Sequence, residues 1–263
     1  MADYEVYSSP SVVLVVLEVK HPSADAIGKS ERSQLKRDLA KRAPIMKSAQ
    51  AVSLQIGVGT NAPGLSVEEF PKYFNRDTTL SISYRQESIV IETSNYTGWE
   101  PFREAAQMAF AARSSLDPLD GIERVGLRYI NEVRVPEDPP DWRSWVHPGL
   151  FEPQFGQLTK LPLNQWQGFV VYGEDPGQSL ALRYGPREGV ATVEPNPELR
   201  RLKKFQGGPF FLLDLDSYWM PKDGTPEFEP DRLERICDDL HEPVQDMFDG
   251  LITERYKDEV LRK

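Results

Sequence analysis

The chain has a single cysteine, Cys237, among 263 residues. No disulfide can close within it and no four-cysteine zinc site can form, which points to a reducing compartment. Histidine is almost as scarce, with only His21, His147 and His241, widely separated and with no serine or cysteine nucleophile in a recognisable setting. No triad follows from them. No Gly-Lys-Ser/Thr string occurs. The glycine-rich stretch GVGTNAPG, with Gly57, Gly59 and Gly64, lacks dinucleotide-fingerprint spacing and reads as a loop. Long apolar runs are missing too. Val12 to Leu17 is the strongest and is cut off by Glu18 and Lys20, far short of a bilayer span. No apolar leader follows the acidic start MADYEVYSSP, so a cytoplasmic protein is expected. Neither a cofactor nor a metal is implied.

Positive charge is in deficit. The net charge of −10 argues against nucleic acid as a partner, because a polyanion is gripped by a dense basic face. The charge is nevertheless segregated. Residues 29–47 carry Lys29, Arg32, Lys36, Arg37, Lys41, Arg42 and Lys47 against Glu31 and Asp38, whereas 227–249 hold nine acids against Arg232 and Arg235. Solvated helix faces account for both blocks, with docking of an anionic partner on the basic one as the alternative.

What is present is patterned. Residues 12–20 are β-branched and continuous, the mark of a strand buried on both faces. Helical spacing covers 30–43, ended by Pro44, and a second helix opens one or two residues after Thr97, which suits Pro101. Strands are expected at 51–58, 78–84, 88–93 and 123–135, and again at 167–173, 179–185, 189–194 and 209–217. Trp142 and Trp145 tack a short helix onto the core. A last helix starts at Pro230, with Leu233, Cys237, Leu240, Val244 and Phe248 along one stripe, and a kink or break is expected at Pro243.

Element order then predicts an α+β fold of two tandem β-α-β(3–4)-α units, residues 1–121 and 122–263, packed intimately. Each unit would contribute curved, mainly antiparallel sheet with long helices on one face.

The strings ERVGLRYIN (123–131), NYTGWEPF (95–102) and LLDLD (212–216), with Leu240-His241, Phe248 and Ile252-Thr253, resemble an uncharacterised, sporadically distributed bacterial and archaeal protein family with a Gly-Leu-Arg-Tyr-Ile-Asn core motif. The likeness covers nearly the whole chain, with departures at Pro243 and at Lys20-His21. It implies no established reaction. The family's patchy occurrence implies an accessory role such as defence or toxin neutralisation.

Among residues that carry chemistry, Asp214 and Asp216 share one face of a strand. Arg128 lies in an otherwise apolar strand on the face of Gly126 and Ile130, so a carboxylate partner is expected, either Asp214 or Asp216. Asn131 faces the other way, with Leu127 and Tyr129. His241 sits beside Pro243 on the last helix, and Trp219 is one of five tryptophans placed to line a cleft or anchor the core. Two readings follow. One is a non-enzymatic protein-binding or regulatory module, or a homodimer. The alternative is a small-molecule pocket or enzyme between sheet and last helix, using Arg128 with Asp214, Asp216 and His241.

Overall fold

The computed structural model describes residues 5–55, 64–151, 158, 161, 163, 165–189, 198–202 and 207–263. Nine strands form one sheet: β1 (Val12–Lys20), β2 (Ile45–Gln55), β3 (Gly64–Phe74), β4 (Leu80–Tyr84), β5 (Ser88–Thr93), β6 (Arg124–Val133), β7 (Gly168–Gly173), β8 (Gln178–Glu188) and β9 (Pro209–Trp219). Their spatial order is β2-β3-β4-β5-β1-β6-β9-β8-β7. Every described pairing is antiparallel.

This overturns the expected pair of β-α-β(3–4)-α units with long helices layered on one face. A single large antiparallel sheet dominates, and among the described residues the helices are few. Among the described residues only α2 (Trp99–Ser114) and α3 (Pro230–Leu251) exceed the ten residues of α1 (Lys29–Asp38), and α4 (Glu254–Tyr256) is one turn. The sheet continues through the expected divide at 121/122, because β1 pairs with β5 on one side and with β6 on the other. The strand count differed as well. The strand expected at 179–185 runs longer, over 178–188, and β3 was not expected at all. The expected strand ends at 56–58 and 190–194, and the loop glycines Gly57 and Gly59, lie outside the described residues.

Strand alternation decides what each face carries. On β1, Val15, Leu17 and Val19 are fully buried toward the helices. They join Ile89 and Ile91 of β5, Leu127 of β6, Leu213 and Leu215 of β9 and the α2–α3 layer in the main core. The opposite face carries a smaller core of Leu14, Phe74, Ile130, Leu199, Phe210 and Leu212. Helix α2 rests on the sheet through small side chains, Ala105, Ala106 and Ala109. There the Tyr84 hydroxyl donates to the Ala109 carbonyl at 3.0 Å. The two long helices are clamped together by Arg103, which donates to both Asp238 oxygens at 2.8 and 2.9 Å. Trp145 is fully buried just after a 3₁₀ turn at Trp142–Ser144.

Of the kink or break expected at Pro243, the break does not occur, since α3 runs on through it. Proline brings no N–H, so the Asp239 carbonyl one turn earlier loses its helical donor. The Gln178 side chain of β8 supplies one instead, with Nε2 2.7 Å from that oxygen. Replacing Gln178 by Ala is expected to cost about 1 kcal/mol. In a Pro243→Ala background, where residue 243 regains an N–H, the cost should vanish. A four-protein urea-unfolding cycle measures the coupling.

Candidate functional site

Two groups of residues singled out from the sequence lie back to back on the sheet. On the face away from α2 and α3, Arg128 donates through Nε and Nη2 to the two oxygens of Asp214, each at 2.7 Å. Arg183 approaches the same carboxylate at 3.6 Å. Arg124 lies 3.9 Å from Asp216 and 3.5 Å from Glu18. Three guanidinium groups thus meet three carboxylates across adjacent strands β1, β6, β9 and β8. Burial raises the Asp216 carboxyl above its ordinary value, while the hydrogen bond to Asp214 holds Arg128 more firmly protonated. With its charges balanced, the array fits a cross-strand staple and offers no surplus charge to an ion. Among the described residues, no three His, Cys, Asp or Glu side chains come together to hold a metal.

On the helix face, a cavity of about 490 Å³ opens between sheet and helices. Its floor is Tyr129 and Asn131 of β6 with Leu215 of β9, and one wall is His241, Val244, Gln245 and Phe248 of α3. The first turn of α2 and the N-terminal segment 5–12 complete it. Gly98, at φ 123°, sits in a region that side-chain-bearing residues rarely adopt and turns the chain into α2, so Trp99 opens the helix at the cavity.

A cavity thus lies between the sheet and the last helix, with a residue set that differs from the expected one. Of the predicted site residues, Asn131 and His241 line it. Arg128, Asp214 and Asp216 point from the other face, because on β6 and β9 odd and even residues project oppositely. Trp219 lies elsewhere, at the end of β9 opposite Val125 and Gln178, packed against the main core.

The polar groups at the floor of the cavity are closely held. The Tyr129 hydroxyl lies 3.1 Å from His241 Nδ1. The His241 imidazole stacks on the Trp99 indole with centroids 4.3 Å apart and planes 11° from parallel. On the far side Tyr96 meets Tyr129 edge-on at 5.4 Å. The Asn131 amide donates to the Leu213 carbonyl, and its oxygen accepts from Ser11 Oγ, each at 3.2 Å. Burial lowers the His241 pKa to about 4 and pushes the Tyr129 hydroxyl well above its usual range. Both rings are uncharged at neutral pH, so they present hydrogen-bonding and stacking surface. A base this weak holds almost no proton at pH 7.

The N-terminal wall has no regular structure and is tied down by side chains. Tyr7 donates to Asp249 at 3.0 Å, the Ser9 amide reaches the Leu261 carbonyl at 2.9 Å, and Arg262 grips both oxygens of Glu5 at 2.7 and 2.6 Å. Sequence reasoning missed Tyr7 and Ser11, which stand in a segment with no periodicity to read. It also passed over Tyr96 and Tyr129 as lining residues, and weighed Trp99 only as one of five tryptophans, although all three fall within the two strings NYTGWEPF and ERVGLRYIN. None of the lining residues is a lysine or an arginine, and among the described residues no helix is long and apolar enough to cross a membrane. Comparison with protein-family models and with curated proteins finds no match for this chain.

Proposed function

We propose that the protein binds an uncharged, ring-bearing small molecule in the cavity between β6, α2 and α3. The observation that carries this reading is the cavity's lining, with aromatic and aliphatic walls, the neutral polar groups Tyr129, His241, Asn131, Ser11 and Gln245, and two exposed glutamates, of which Glu5 is paired with Arg262. Ligand sites have this composition, a mostly apolar concavity with a few fixed polar groups that set orientation, and about 490 Å³ falls within their usual size range.

Charge narrows the ligand class. An anionic ligand would find no lysine or arginine on the walls and would lose its hydration without return. A cation would fare little better, since Glu5 is already paired with Arg262 and Glu100 stands exposed at the mouth. A neutral ring bearing one donor or acceptor matches the Tyr129–His241 pair and the Asn131 amide. The ion-pair array around Arg128 takes no part.

Three ligands with one ring system and different charge test the reading. Indole is expected to raise the melting temperature in a concentration-dependent way, while indole-3-acetate and tryptamine leave it nearly unchanged. Val244→Trp, which fills the cavity, should abolish the indole response. An equal response to all three, or one that survives Val244→Trp, would remove the support for this reading.

A further inference from the structure

Strand β7 ends the sheet, and no described strand pairs with its outer side. Its sequence, GFVVYG, carries no charge and no proline. Phe169, Val171 and Tyr172 are 58%, 49% and 56% exposed. Alternation puts Phe169 and Val171 on one face and Tyr172 on the other, so the strand is apolar on both sides of the sheet plane. Edge strands are ordinarily blunted by lysine, proline or a bulge. The opposite edge, β2, carries Lys47. β7 has none of these devices.

We infer that β7 is the interface of a homodimer, in which two copies pair their β7 strands antiparallel across a two-fold axis and join their sheets into one. The occupant is identified by charge. At the C-terminal end of β7 stand exposed Asp175 and Glu174, the latter already paired with Lys222. Beside its N-terminal end stand two arginines of β8. Arg183 lies over the Phe169 ring at 5.0 Å, and Arg187 donates to Gln167 at 2.6 Å. With Glu174 paired to Lys222 and Arg183 shared with Asp214, the polarity of the edge comes chiefly from Asp175 at one end and Arg187 at the other.

A two-fold axis reverses the second strand. It brings the acidic end of each copy to the arginine-bearing end of its partner, twice over, whereas parallel pairing would stack acid on acid. The outward-facing backbone N–H and C=O groups gain partners as any added strand gains them. A foreign strand would need the same two apolar faces and the same polarity of charge. A second copy has both by construction. The surface is separate from the cavity, and the inference stands or falls independently of the ligand reading.

Sedimentation velocity and native mass spectrometry of the full chain at micromolar concentration provide the test. The expected mass is twice the 29.9 kDa of one copy. Phe169→Lys and Val171→Lys, at exposed positions, should each raise the dimer dissociation constant at least tenfold while leaving the melting temperature of the monomer unchanged. Hydrogen exchange on the unmodified protein gives an answer even where a variant folds poorly, since β7 amides should exchange more slowly as concentration rises. A single copy across the concentration range would overturn the inference. So would a dimer indifferent to both substitutions, or β7 exchange independent of concentration.

Discussion

Acidification from pH 6.5 to pH 4 is expected to cost the protein about 3 kcal/mol of stability through His241 alone. Burial holds the folded pKa of this imidazole at about 4, against an ordinary value of 6.5. Between those values the unfolded chain binds a proton that the folded chain refuses. Its contribution is therefore fully present above pH 6.5 and is lost as pH falls through that window. At roughly 1.4 kcal/mol for each pH unit, the gap gives the figure above. His21, lowered chiefly by burial as well, adds slope in the same sense. Asp216, raised by burial, runs the other way at the acid end. Urea unfolding at a series of pH values measures the total, and His241→Gln isolates the share at issue. Glutamine keeps a hydrogen-bonding partner for the Tyr129 hydroxyl but cannot titrate, so the slope between pH 6.5 and 4 should flatten. An unchanged slope would mean that His241 is solvated and protonates freely.

The second large effect is expected on the opposite face. The Glu132 side chain is 0% exposed and lies 3.1 Å from Arg134 and 2.6 Å from Arg201. Arg134 continues the network to the carbonyls of Gly208 and Gly189. Arg201 belongs to the stretch 198–202, which is further held by the Arg200 amide on the Thr78 carbonyl and by Ser94 on the Arg200 carbonyl. This places Leu199 in the smaller core. Removing one partner of a buried ionic group leaves the rest desolvated, at a cost of about 3–5 kcal/mol. Glu132→Gln should lose most of that in chemical denaturation. Arg201→Met should lose less globally but speed proteolysis near 198–202. Glu132→Gln with unfolding unchanged would show the network to be redundant.

Much of the frame was legible before any coordinates, for physical reasons that differ between elements. The run at 12–20 reads as a central strand because only a strand with two neighbours tolerates continuous β-branched residues, and β1 has β5 and β6 beside it. The start of α3 was legible from Pro230 and the stripe through Leu233, Leu240 and Val244. Its course through Pro243 was not, because the group that replaces the missing donor, Gln178, is 65 residues away in the chain. β3 escaped notice because Glu68, Glu69 and Pro71 argue against a strand. β4 pairs only with Lys72–Phe74, so Pro71 falls where β3 has one neighbour, a setting that tolerates proline.

The two-unit arrangement failed because element order does not say whether two groups of strands close separately or merge edge to edge. For the site, alternation along 123–135 correctly set Arg128 apart from Asn131 and Tyr129. What it could not supply was the third dimension. Arg128 and His241 were grouped as residues that carry chemistry, yet the sheet stands between them. The cavity draws on four distant stretches, and its N-terminal wall has no pattern to read at all.

The account rests on the cavity being a ligand site, and a crystal structure of the protein soaked with 5-bromoindole tests this most directly. The predicted result is an anomalous bromine peak inside the cavity, with the indole ring between Tyr129 and Val244 and its N–H within hydrogen-bonding reach of a neutral polar group there. A cavity filled by the protein's own side chains, with bromine found only on the outer surface, would contradict it.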